Sequence, residues 1–181
     1  MLKVMSIILL FTSTLIFVVN ARSQGLPEHL PEDYSKLTYK EVGRAKFSVL
    51  FWDIYNSTLY TISGQYFYKN PPETLLFKIE YLKDITSDEL IERTIEQWRH
   101  LQIPEPQYKP FIPQLKAIWP NISAGDSLTL FVENETSVFY LNNIKIGIMN
   151  EHEFSQIFLD IWLSPETSQM QLRKQLLEGS K

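Results

Sequence analysis

The 181-residue chain contains no cysteine. A disulfide framework, a thiolate metal site, a cysteine nucleophile and a lipid-modified N-terminal cysteine are therefore closed to it. Glycine is scarce and scattered. Its six copies, at positions 25, 43, 64, 125, 147 and 179, are too far apart for G-x-G-x-x-G or G-x-x-x-x-G-K, and no G-x-S-x-G is present. Phosphate-cradling loops and the serine-hydrolase elbow thus lose their usual signature. Positive charge is the minority sign, with 17 Lys+Arg against 21 Asp+Glu and a formal charge of −4. Without a basic run there is no electrostatic reason to bind a nucleic-acid backbone. His29, His100 and His152 are widely separated, and in Glu151-His152-Glu153 successive helical side chains point about 100° apart. No metal and no cofactor are expected, and nothing in the spacing of Ser, His and Asp pairs them into a triad.

What remains is 44% hydrophobic and 21% charged, an ordinary balance for one globular domain with a sizeable core. One long apolar run exists. Val4 to Val19 carries only Ser and Thr among its polar residues, follows Lys3, and is shorter than the roughly 20 residues of a spanning helix. Val19-Asn20-Ala21 then places small residues at −3 and −1 of a processing site, with Ala21-Arg22-Ser23 as a second choice. Residues 1–21 read as a secretory signal, the alternative being an uncleaved anchor. The expected product is periplasmic or secreted, has no stable membrane span and carries sixteen basic against twenty-one acidic residues, or −5. In a eukaryotic setting Asn56-Ser57-Thr58, Asn121-Ile122-Ser123 and Asn134-Glu135-Thr136 would be glycosylation acceptors.

Residues 22–34, with Pro27 and Pro31 and no periodicity, form an irregular leader, and residues 35–181 form a single domain. Leu37 to Tyr60 is strand-like, and Tyr66-Phe67-Tyr68 is a further aromatic run that Pro71-Pro72 ends. Thr74 to Leu82 alternates Leu75, Phe77, Ile79 and Tyr81 against Leu76, Lys78 and Glu80, the pattern of a half-buried strand. The period then changes to helical. Thr86 and Glu89 form a capping box ahead of Leu90, Ile91, Ile95, Trp98 and Leu101, and Ile112 to Trp119 is a short helix stopped by Pro120. A meander follows, with strands at Ser127 to Glu133, Thr136 to Leu141 and Ile144 to Ile148 and a tight turn at Asn142-Asn143. A third helix is expected from Glu151, with Asn150 and Glu153 as a capping box, and a fourth from Ser164-Pro165 to near Gly179. The pattern predicts an α+β domain with helices on one face of an antiparallel sheet.

The stretch from Gly43 to Tyr60, GRAKFSVLFWDIYNSTLY, resembles the chalcone isomerase-like family in its bacterial exported branch. Glu80-Tyr81-Leu82-Lys83-Asp84-Ile85 leading to Thr94-Ile95-Glu96, and Phe158 to Ser168 followed by Leu172-Arg173, resemble it in the same order, so the likeness spans about residues 35 to 178. It implies an open-faced β-sandwich of the chalcone isomerase type, a curved antiparallel sheet with helices packed on one face. The plant isomerases use an arginine and a threonine of the signature strand, and a tyrosine and an asparagine of a helix, to close a chalcone into a flavanone. The resemblance places Arg44 and Ser48 at the first two positions, and Leu90 and Gln97 near the last two. Loss of the phenol removes the group that would polarise the substrate ketone. Other family members bind fatty acids through an arginine and a tyrosine of this region.

No catalytic residue is assigned. The ligand-binding candidates are Arg44, Ser48, Trp52, Tyr55 and Tyr60, with Lys46 as substitute cation. A guanidinium suits a carboxylate in bidentate pairing, and aromatic strands line an apolar cavity whose phenols orient a polar head, although such strands also serve as plain core. Period-two alternation sets Arg44, Lys46 and Ser48 on one side and Tyr55 on the other unless the register breaks. Asp53 is expected to face water. The expected function is an exported, non-catalytic protein holding an amphipathic small molecule such as a fatty acid. An isomerase or intramolecular lyase, or a structural module without ligand, are the alternatives; the oligomeric state stays open.

Overall fold

A computed structural model describes residues 39–134 and 136–178. The expected signal, residues 1–21, the leader, residues 22–34, and the chain end beyond 178 lie outside the described residues. Six strands form one antiparallel sheet in sequence order: β1 (Lys40–Val49), β2 (Trp52–Thr61), β3 (Thr74–Tyr81), β4 (Ser127–Glu133), β5 (Thr136–Leu141) and β6 (Ile144–Met149). Helices α1 (Ser87–His100), α2 (Glu105–Tyr108) and α3 (Phe111–Ile118) sit between β3 and β4, and α4 (His152–Leu163) and α5 (Met170–Glu178) follow the sheet. The domain is the expected α+β open-faced sandwich, a curved antiparallel sheet with helices.

Alternation decides which side of each strand the helices cover. Leu59, Leu75, Phe77, Ile79, Leu128, Leu130, Val132 and Phe139 share one core with Ile91, Trp98, Leu115, Phe158, Trp162 and Leu176 from the helices. The opposite side carries a smaller buried cluster of Tyr39, Tyr60, Leu76, Phe131, Val138 and Tyr140, with no helical residue in it among the described residues. Buried indole nitrogens need partners. Trp98 donates to the Ile157 carbonyl at 2.8 Å, which ties α1 to α4. Gly43 is a close-approach position: a Cβ there would meet the Gln175 and Leu176 carbonyl oxygens, so its absence lets α5 lie directly on β1.

The expected capping box of α1 is present. Thr86 Oγ1 accepts from the Glu89 N–H at 3.3 Å, and the Glu89 carboxylate accepts from the Thr86 N–H at 2.8 Å. The boundaries of the last two helices differ from expectation. The N-cap of α4 is Glu151, without a side-chain cap bond, and its carboxylate instead accepts from Gln114 Nε2 at 2.8 Å. Residues 164–169 form turns rather than the start of a helix. Thr167 Oγ1 donates to the Ile161 carbonyl at 2.6 Å while Ser164 Oγ accepts from the Glu166 N–H at 3.1 Å. These local side-chain bonds hold the chain off the helical path until Met170. Of the run Leu37 to Tyr60, the first two residues lie outside the described residues and the rest is divided into two strands by a turn at Leu50-Phe51, while Tyr66-Phe67-Tyr68 lies in the loop after β2 instead of a strand.

Candidate functional site

The β1–β2 hairpin outreaches its neighbour. The paired residues of β2 and β3 run from Thr61–Leu75 to Tyr55–Tyr81, and one further bond, from the Leu82 N–H to the Ile54 carbonyl at 2.9 Å, ends the contact. Phe47 faces Tyr55 from β1, so Phe47, Tyr55 and Tyr81 make one cross-strand row on the helix-covered side. The Phe47 and Tyr55 rings stack with centroids 5.1 Å apart, and Tyr55 meets Tyr81 edge-on at 6.0 Å. From α4, Trp162 closes the seam. Its ring lies 4.8 Å from Phe77, and its Nε1–H donates to the Tyr55 hydroxyl at 2.9 Å.

That bond uses the acceptor side of the Tyr55 phenol and leaves its proton to give. Among the described residues no acceptor takes the O–H of Tyr55 or of Tyr81. Burial pushes the Tyr55 pKa up to about 12, partly offset by the Trp162 bond. Burial also raises Tyr81, with the nearby Tyr55 adding to it. Both phenols are therefore neutral donors at physiological pH, in an otherwise apolar seam. Neither is hydrogen-bonded to a carboxylate or imidazole among the described residues. The row can orient a polar head, and among the described residues no base adjoins it to drive proton transfer.

The other candidates stand elsewhere. Arg44 lies opposite Thr58 on the side away from the helices, 60% exposed, and donates to Glu41 at 3.0 Å. That hydrogen bond, with the Glu41 charge, raises its pKa. Lys46 and Ser48 converge on Asp53, donating at 2.9 and 2.6 Å. Asp53 is thus exposed yet paired, and its pKa is lowered by the Lys46 bond and then by Ser48. A register shift between Phe47 and Ser48 brings these three together. Trp52 is 62% exposed, with the Lys83 ammonium 3.9 Å from its ring centroid. Tyr60 is buried in the far-side cluster. The structure joins Tyr55 to Tyr81 and Trp162, and does not bring Arg44 or Tyr60 to that row. Tyr81 and Trp162 were not singled out in the sequence as site residues. The alternation of β3 and the apolar face of α4 carry both, since each points at the side where Tyr55 emerges.

A second polar group lies where α4 meets the loop after β2. Asp160 accepts from Gln156 Nε2 at 2.9 Å and from the Tyr68 phenol, and burial raises its pKa. Arg173 of α5 donates through Nε to the Leu163 carbonyl at 2.8 Å. Leu90 is buried core, and Gln97 accepts from Ser168 Oγ at 2.7 Å, so α1 offers neither a phenol nor an asparagine where the resemblance leads one to expect them. Two open grooves lie away from the row. One of about 380 Å³ is lined by Ile91, Ile95, Ile112 and charged neighbours, and one of about 430 Å³ by Pro71, Pro72, Val132 and Ile157 among others. Among the described residues no group of three His, Asp or Glu side chains is placed to hold a metal, and no helix is long and apolar enough to cross a membrane.

Comparison with known proteins supplies the family. The model of the chalcone isomerase-like family matches residues 20–178. An uncharacterised protein of Haemophilus influenzae is 24% identical over 143 residues, covering 79% of this chain and 70% of the relative. The crystal structure of a fatty-acid binding protein from Arabidopsis thaliana superposes with a TM-score of 0.62 at 11% identity, over 85% of this chain and 91% of the other. This chain belongs to the chalcone isomerase-like family.

Proposed function

We propose that this member of the family is an exported, non-catalytic binding protein for an amphipathic small molecule, a fatty acid in the first instance. The observation that carries the reading is the pair of phenols at the end of the β2–β3 ladder, Tyr55 half-buried and Tyr81 buried, each with a proton and no acceptor among the described residues. A carboxylate placed between them gains two charge-assisted hydrogen bonds, and the surrounding Phe47, Phe77 and Trp162 rings suit an acyl chain. The fatty-acid binding of the Arabidopsis protein, which shares the fold, supports the choice of probe. Catalysis is disfavoured because α1 has neither tyrosine nor asparagine near Leu90 and Gln97, where the resemblance points, and no base adjoins the phenols among the described residues.

Titration with a fluorescent fatty acid tests this. Tyr55→Phe and Tyr81→Phe should each weaken binding about ten- to a hundred-fold, the loss expected for a hydrogen bond to a charged group. The circular-dichroism spectrum should be unchanged. Wild-type affinity in both variants, or no binding by the wild-type protein, overturns the reading. Ring closure of a chalcone should proceed at its uncatalysed rate, since binding alone does not lower the barrier.

A further inference from the structure

The turn between β1 and β2 exposes the two most solvated large apolar side chains of the described residues, Leu50 at 88% and Phe51 at 97%. Val49, Trp52 and Leu82 beside them are also exposed. Leu50 has φ +54°, the left-handed conformation that glycine or asparagine adopts at little cost and a leucine does not. The protein thus keeps a bulky apolar residue where a polar one would fold more easily and remove apolar surface from water. A strained position that also carries exposed apolar bulk points to a use outside folding.

We infer that the Leu50-Phe51 tip inserts into the headgroup layer of a lipid bilayer and seats the mouth of the phenol row on the membrane. The shape favours a fluid surface. The hairpin projects beyond the end of β3 as a convex point, not a groove, so it fits a medium that deforms around it. Its collar has the composition of an interfacial anchor. Trp52 stands just behind the tip, and the Lys83 ammonium over its ring has no carboxylate partner among the described residues. Asp53 is already compensated by Lys46. Asp84, next to Lys83 in the chain, is engaged by the Ala124 N–H, so the Lys83 ammonium is the charge of the collar left to complement lipid phosphates locally. Phe47 and Tyr55 continue the same two strands inward, so docking would bring the row to the place where an acyl chain leaves the bilayer.

This inference deepens the proposed fatty-acid binding, and the test separates the two. Trp52 is the exposed member of the four tryptophans, the other three being buried, so its emission reports on the tip. With no fatty acid added, vesicles of phosphatidylethanolamine and phosphatidylglycerol should shift wild-type emission to the blue and co-sediment the protein. The double variant Leu50→Asn, Phe51→Ser should lose affinity roughly a hundred-fold, as two large apolar side chains leave an apolar medium. Asparagine suits the positive φ, so the melting temperature should not fall. Lys83→Gln should weaken binding to these vesicles more than to phosphatidylcholine vesicles. Wild type that ignores both vesicle types, or a double variant that binds as wild type does, overturns the docking. So does a tip-dependent dimer in sedimentation velocity without vesicle binding, which assigns the tip to a second copy of the chain. A protein that takes fatty acid but ignores vesicles loses only the docking, and one that docks but takes no fatty acid loses only the proposed function.

Discussion

Phe47 and Phe51 are four residues apart on one hairpin and have opposite fates. Phe47 stacks on Tyr55 within the helix-covered seam, while Phe51 is 97% exposed. Composition does not separate them; the ladder does. As far as the Tyr55–Tyr81 rung, the hairpin has β3 beside it and α4 above it, and its aromatic residues become core. Beyond that rung no third strand lies beside the hairpin among the described residues, and the same kinds of side chain meet water. The two regions should accordingly answer mutation differently: the seam through stability and ligand affinity, the tip through surface association.

The sharpest way to break this comparison is to empty the seam. Trp162 is 8% exposed, packs on Phe77 and Phe158, and donates to Tyr55. Trp162→Ala leaves a large cavity and should cost about 3–5 kcal/mol in denaturant unfolding. Fluorescent fatty-acid binding should fall with it, because the Tyr55 phenol loses its orienting donor. A loss under about 1 kcal/mol would mean that α4 does not seal the row.

Alkali offers a second test on the same residues. The Tyr55 pKa is raised to about 12 and that of Tyr81 is raised too, both chiefly by burial, so the folded state keeps protons that the unfolded chain, titrating near 10, gives up. The contribution of Tyr55 is fully present below pH 10 and is lost as pH rises toward about 12. Unfolding followed at stepped pH should show stability falling above pH 10, with phenolate absorbance appearing together with the loss of structure. Tyr55→Phe should flatten that decline. An unaltered slope in the variant would place the phenol in contact with solvent.

The elements that organise the seam were legible in the sequence because each has a periodic signal. The alternation from Leu75 to Tyr81, the Thr86–Glu89 capping box and the Asn142-Asn143 turn all recur in the structure, the last with both asparagines at positive φ. The hairpin turn was hidden because it lacks Gly, Pro, Asn or Asp at its centre; Leu50 and Phe51 read as strand interior. That omission merged β1 with β2, although the expected placing of Tyr55 on the other side from Arg44 holds. Once a strand ends at Val49 and a new one begins at Trp52, Tyr55 faces the helices and Arg44 faces away. The partners of Tyr55 stayed invisible for another reason: Tyr81 and Trp162 lie 26 and 107 positions along the chain, and only the folded register brings them close. The start of α5 was misplaced because Ser164-Pro165 is a sound helix-start signal that the bonds around Thr167 override.

The tip yields a smaller effect, of opposite sign to that of the seam. Leu50→Asn alone should leave stability unchanged or raise it by about 0.5–1 kcal/mol, because asparagine tolerates the left-handed backbone and exposes less apolar surface. Thermal unfolding of the single variant measures this. A destabilisation above about 1 kcal/mol would show that the leucine is held by contacts within the fold, and the contrast between seam and tip would lose its basis.

Arg44→Ala should give the smallest change, and its size decides on which side of the sheet the ligand sits. The guanidinium is exposed and paired with Glu41 three residues away, an arrangement that contributes within about 0.5 kcal/mol to stability. Its strand position turns it from the phenol row, so a fatty acid held by Tyr55 and Tyr81 should bind Arg44→Ala within about two-fold of wild type, at low and at high salt alike. If the carboxylate instead engages the guanidinium, removing that charge-assisted bond costs about 1.5–3 kcal/mol, or ten- to a hundred-fold in affinity, and Arg44→Lys falls between because lysine keeps the charge without the planar fork. The second pattern would move the head group to the side of the sheet that carries Tyr60, while the vesicle experiment on the tip would stand unaffected. Measuring Tyr55→Phe and Arg44→Ala with the same probe therefore assigns the ligand to one side, because the two residues emerge on opposite sides of the hairpin and one bound carboxylate engages a single side.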